Sequence, residues 1–140
     1  MERTIKILFT IFIFILGFSS PSISQEMTNQ ELTTPTNVEF KNCTKTYNIS
    51  SEKLYYLTLD SISANRFEIK EIQSKMGYAV FKAANREFLA TVAYYSPTKS
   101  ILKITPVNGN YYFAPGIVLN IFKFIDINKD EEIKNIEKLN

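Results

Sequence analysis

The sequence has no histidine, no tryptophan, one cysteine and four glycines among its 140 residues. Each scarcity removes a class of chemistry. Without histidine there is no Ser-His-Asp triad, no Cys-His dyad and no imidazole to ligate zinc or haem. A lone Cys43 builds neither an intramolecular disulfide framework nor a CxxC redox site. The glycines form no phosphate-cradling loop and no nucleophile elbow. The absence of tryptophan takes away the ring best suited to stacking on a sugar. Charge of one sign is also scarce. Sixteen basic and fourteen acidic residues leave a net charge of +2, too small for the basic stripe of a nucleic-acid binder, so no nucleic-acid partner is expected.

What is present begins with an address. Arg3 and Lys6 precede an almost unbroken apolar run from Ile7 to Phe18, and Pro21 follows it. Ser22 and Ser24 stand three and one residues before Gln25, the small-residue pattern of a signal-peptidase site. The run is shorter than the ~20 residues that span a bilayer. Residues 1–24 are therefore expected to be a cleaved signal peptide, with no stable membrane insertion afterwards. The mature chain would be exported, either periplasmic or secreted. Removing 24 of 140 residues leaves 116, and the loss of Glu2, Arg3 and Lys6 brings the net charge to +1.

Export makes a single cysteine unusual. Cys43 is expected to be a small buried hydrophobe. Its polar neighbours Asn42, Thr44 and Lys45 keep a disulfide-linked dimer as the alternative. Asn42 and Asn48 head two Asn-X-Ser/Thr triplets, which matter only in a eukaryotic secretory pathway.

Residues 25–37 are polar and aperiodic and read as a flexible leader. Val38-Glu39-Phe40 alternates as a short strand does. Ser50 suits the N-cap of a helix running to about Ser63, with Tyr55, Leu59 and Ile62 on one face, Leu54 and Leu57 beside them, and Asn65 at its end. Four strands follow, over 66–73, 78–83, 87–95 and 100–107, separated by turns at 75–77, 84–86, 96–99 and 108–110. The first is charged, as edges are. The third is apolar on both faces and belongs in the centre. Pro115 opens a second helix with a stripe of Ile117, Val118, Ile121, Phe122 and Ile125. The expectation is an α+β domain over 38–126, with a helix, a four-stranded antiparallel sheet and a second helix, followed by a polar C-terminal tail over 127–140. This order of elements is similar to that of cystatin-like helix-on-sheet folds, an analogy that carries no function.

Two features could carry function. The first is a set of tyrosine doublets, Tyr55-Tyr56, Tyr94-Tyr95 and Tyr111-Tyr112. Neighbouring strand residues point to opposite faces, so one ring of Tyr94-Tyr95 should enter the core. Tyrosine offers large contact area and a hydrogen-bonding tip. Tyr95, Tyr111 and Tyr112 are the expected contact residues, for a protein or glycan of the cell envelope or exterior.

The second feature is the run from Asp126 to Glu137, which resembles an EF-hand calcium loop. That resemblance implies Ca²⁺ held by Asp126, Asn128, Asp130, Glu132 and Glu137, with Ile133 at the apolar eighth position. The sequence departs from the pattern with Glu131 where a sharp turn wants glycine, and Lys134 at the ninth position.

Catalysis without histidine could use paired carboxylates, as glycoside hydrolases do. The candidates Asp60, Glu68, Glu71 and Glu87 are scattered beside lysine and arginine. The leading expectation is a small exported, non-catalytic binding or structural domain without a cofactor. A calcium-stabilised secreted module is the second reading, and a carboxylate-dependent glycan hydrolase the third.

Overall fold

The computed structural model describes residues 26–131. The expected signal peptide and the end of the tail, including Glu132 and Glu137, lie outside the described residues. Among the described residues, no helix is long and apolar enough to cross a membrane.

The chain is α+β, but with more elements than the sequence suggests. In order they are α1 (Asn29–Thr33), β1 (Thr36–Asn37), a 3₁₀ turn (Phe40–Cys43), β2 (Thr44–Tyr47), α2 (Ser51–Ala64), β3 (Glu68–Gln73), β4 (Tyr78–Ala83), β5 (Arg86–Ser96), β6 (Lys99–Pro106), β7 (Tyr112–Phe113) and α3 (Gly116–Asn128). Strands β3 to β6 form the expected meander. The main sheet is five-stranded rather than four-stranded, because β2 pairs with β6 and completes the antiparallel order β2-β6-β5-β4-β3. β5 is central and β3 is an edge, as their composition suggests.

β2 and β3 are opposite edges of the sheet. The segment joining them must therefore cross it, and that segment is α2. Ser50 caps the helix by accepting from the Lys53 N–H at 3.2 Å. Its inward face carries Leu54, Tyr55, Leu57 and Ile62, but also Thr58 and Ser61. The two hydroxyls are tolerated because each has a partner. Thr58 donates to the Leu54 carbonyl at 2.7 Å, and Ser61 to the Ile121 carbonyl of α3 at 3.3 Å. α3 lies beside α2, burying Ile117, Val118, Ile121, Phe122 and Ile125.

The core between helices and sheet is built on alternate strand residues: Ala79, Phe81 and Ala83 of β4, Phe88, Ala90 and Val92 of β5, Leu102 and Ile104 of β6. Phe67, Phe81 and Phe88 form a stacked row that Phe113 closes edge-on. Cys43 is fully buried in this core.

Residues 29–37, read from sequence as a leader without regular structure, contain a helix and a strand. A capping box starts α1, with Thr28 accepting from Glu31 N–H and Glu31 accepting from Thr28 N–H. β1 pairs with β7 in a separate two-stranded sheet. The alternation in Val38-Glu39-Phe40 is not a strand: Val38 N–H bonds the Tyr111 carbonyl, and Phe40 begins the 3₁₀ turn.

Candidate functional site

The sheet has two ends, and the tyrosine doublets are divided between them. At one end lie the β3–β4 turn, the close of β5 and the start of α2. At the other lie the β4–β5 turn and the loop 107–111.

At the first end a cleft of about 540 Å³ opens between α2 and the β3–β4 turn. Ser51, Glu52, Tyr55 and Tyr56 of α2 form one wall, and Ser74, Lys75, Met76 and Gly77 the other. Val92 and Tyr94 of β5 complete it. The turn sits close because Gly77 has φ +72° and its backbone packs on Val92; a Cβ there would meet the Val92 carbonyl oxygen at 2.9 Å. Val92 N–H in turn donates to the Gly77 carbonyl at 2.7 Å.

Tyr55 is the fixed member of this group. Its hydroxyl donates to the Tyr78 carbonyl at 3.0 Å, and its ring meets Tyr56 edge-on at 6.0 Å. Burial pushes its hydroxyl pKa above the ordinary tyrosine value. Around this anchor the apolar surface is open: Tyr56 is 39% exposed, Tyr94 66% and Met76 72%.

The sequence reading of Tyr94-Tyr95 needs correction, since neither ring enters the core. Tyr95 is 65% exposed. Tyr94 pairs with Ser100 and Ser96 with Lys99, so Tyr95 is an extra, bulged residue without a partner in β6. Tyr94 follows Phe88, Ala90 and Val92 on the helix side, yet it stands beyond them, fully on the surface. The Tyr95 ring lies beneath the Lys99 ammonium, 5.5 Å from the centroid.

Tyr111 and Tyr112 are at the other end. Arg86, the first residue of β5, donates to the Tyr112 carbonyl, to the Asn110 carbonyl at 2.5 Å and to Asn108 Oδ1 at 3.0 Å. Its guanidinium also lies against the rings of Phe88 and Phe113. Tyr112 is 54% exposed. Tyr111 is half-buried, edge-on to Phe40. Arg86 and Tyr95 are separated by nearly the whole of β5, about 30 Å at ~3.3 Å per residue. Tyr95 therefore does not share one contact face with Tyr111 and Tyr112. Tyr94, not Tyr95, is the member of its doublet that lines the cleft with Tyr55, Tyr56 and Met76. The doublets were visible in the sequence, but assigning them to ends of the sheet required the hairpin register.

Of the calcium ligands read from the sequence, Asp126 and Asn128 are not brought together. Asp126 and Asn128 belong to α3, where residues two apart point to nearly opposite sides. Asp126 is engaged with Lys45 at 2.5 Å, and Asn128 donates back to the Phe124 carbonyl at 2.7 Å. A loop wrapped around an ion needs these residues out of the helix. Asp130 lies in the turn after α3, and Glu132 and Glu137 lie outside the described residues. Among the described residues, no cluster of three or more His, Cys, Asp or Glu is placed to hold a metal.

Two other hollows lie away from the tyrosine doublets. The larger, about 750 Å³, lies against α1, where Met27 and Pro115 line it together with polar residues such as Gln30, Glu31 and Thr34. A third, about 460 Å³, lies between Val38, Lys45 and the apolar side of α3. None of Asp60, Glu68, Glu71 or Glu87 lines any of the three hollows.

No family model matches the sequence, and no curated protein is detectably similar to it.

Proposed function

We propose that this chain is a small exported binding domain without a catalytic role, and that it grips its partner at the tyrosine cleft. One observation carries the reading: side chains from three separate elements, Tyr56 of α2, Met76 of the β3–β4 turn and Tyr94 of β5, stand exposed around one hollow. Aromatic and methionine side chains are the residues that interfaces favour. Tyrosine gives up little conformational entropy on contact and can hydrogen-bond a backbone as well as stack. Met76 adds a polarizable, adaptable wall.

The cleft is open rather than enclosed, and Glu52 and Lys75 give it one charge of each sign. Those features favour an extended protein segment of the cell envelope or exterior over a small molecule. A glycan is the second partner class. With no tryptophan in the chain, sugar stacking would fall to tyrosine alone.

The test is a binding selection, with a displayed peptide library and a panel of soluble envelope glycans offered to the purified protein. Binding of a selected ligand should fall roughly 100-fold when Tyr56, Tyr94 and Tyr95 are all changed to alanine, taking about 1 kcal/mol for each aromatic. Changing Tyr111 and Tyr112 should leave it within about two-fold. Equal loss from both sets, or loss only from the second, overturns the reading.

A further inference from the structure

The free edge of the sheet at β3 repeats its own chemistry in reverse. It reads Glu68-Ile69-Lys70-Glu71-Ile72-Gln73, and its outer side has no strand partner among the described residues. In an isolated alternating strand, Ile69 and Ile72 would point to opposite faces, being three residues apart. Here a bulge intervenes. Ile69 pairs with Phe81 and Glu71 with Val80, leaving Lys70 as the extra residue. Ile69 and Ile72 thereby both face the helix side, opposite the buried Phe81 and Ala79. Glu68, Lys70 and Glu71 share the open side: Lys70 Nζ bonds Glu68 at 3.0 Å, and the Tyr78 hydroxyl donates to Glu71 at 3.0 Å. Ile72 is left 50% exposed.

We infer that β3 is a self-pairing edge whose partner is the β3 of a second copy of this chain, joined antiparallel about a two-fold axis between Lys70 and Glu71. In that register Ile69 lies across from Ile72 of the second copy, Glu68 across from Gln73, and Lys70 across from Glu71. Each residue meets a match on its own face. Like charges directly opposite would be unfavourable, and here both central positions meet the opposite sign. Charge and a bulge guard this edge against other strands, and both come into complementary register when two copies of the same edge meet. The two-fold also makes the contact isologous and closed, so it stops at two copies rather than growing into a fibre. A six-residue edge is small beside the ~1,600 Å² of a standard stable interface, so the dimer is weak and reversible. The proposal does not rest on the tyrosine cleft.

Sedimentation velocity from micromolar to millimolar concentration tests it, using the chain as the expressing cell processes it. The wild type should show a monomer–dimer equilibrium. Lys70→Glu and Glu71→Lys should each weaken it roughly ten-fold, since each change puts like charges together twice across the axis. The double variant carrying both changes should recover most of the loss, because the exchange restores opposite signs in the same register. Thermal melting of each variant separates these effects from misfolding. A monomer at every concentration overturns the proposal. So does a dimer indifferent to the single changes, or one weakened by them and not recovered by the double.

Discussion

Arg86 shows how one side chain can organise a whole end of the molecule. It donates to two carbonyls and the Asn108 side chain while lying over Phe88 and Phe113. Asn108 and Asn110 accept in turn from Asn110 N–H and Tyr112 N–H, so the loop is held from within and from below. Arg86→Ala should cost about 2 kcal/mol, several degrees in melting temperature. Arg86→Lys should recover only part, because an ammonium lacks the planar fork. The same melting experiment checks both.

Cys43 and Tyr47 make two further predictions. Burial raises the Cys43 pKa and seals the thiol from solvent. Native protein should react with a thiol reagent far more slowly than protein unfolded in denaturant. Fast native labelling would place Cys43 within reach of another chain, where a disulfide dimer could form. The Tyr47 pKa is raised by burial and then by the nearby Asp126 carboxylate. A raised acid favours its neutral form in the fold. Its contribution is complete below about pH 10, where unfolded tyrosine is also neutral, and is lost as pH rises through the higher folded value. Melting temperature should therefore fall above about pH 10, and Tyr47→Phe should flatten that fall. The change gives up only a long hydrogen bond to the Phe122 carbonyl.

Elements whose signals were local could be read from the sequence. Ser50 caps α2 because its side chain reaches three residues ahead, and Asn65 closes the helix as its composition suggests. The turn at Ala84-Asn85 takes positive φ at both residues, the geometry that joins β4 to β5 in a two-residue hairpin. β2 carries no strand signal of its own, because its inward positions are Lys45 and Tyr47 rather than aliphatics; only β6, more than fifty residues later, makes it a strand. At Asp126 and Asn128 two local signals compete. Oxygen-bearing residues spaced by two look like ligands in sequence, yet the apolar stripe of α3 carries the helix through Asp126 and Asn128. The C-terminus of α2 makes a prediction of its own. Arg66 adopts φ +59° while Phe67 N–H bonds the Ile62 carbonyl and Arg66 N–H the Ser63 carbonyl, an arrangement that usually employs glycine. Arg66→Gly should raise stability by up to ~1 kcal/mol, read by denaturant unfolding. At the start of α3, a Cβ on Gly116 would meet the Leu32 carbonyl oxygen at 2.7 Å. Gly116→Ala should loosen α1 from α3, and limited proteolysis should cut near Thr33 sooner than in the wild type.

At the scale of the whole molecule, one sheet holds apart a tied-down end and an open one. The helices cover one face, and the Arg86 end is tied down by backbone bonds. The opposite end, where β5 outruns the helices, leaves Tyr56, Met76 and Tyr94 open around a cleft. That division was not visible in the linear sequence, because the tyrosine doublets are equally spaced from nothing in particular until the register assigns them. Export is the proposal's other half; mass spectrometry of the secreted or periplasmic product should find Gln25 at its N-terminus, and a product beginning at Met1 would count against it. The central claim, that the tyrosine cleft is the contact surface, is tested most directly by amide chemical-shift mapping with a selected ligand. The account predicts perturbations centred on residues 51–56, 74–77 and 92–95, with little change over 108–113. Perturbations centred on 108–113, or on the exposed face of the sheet away from the cleft, would contradict it.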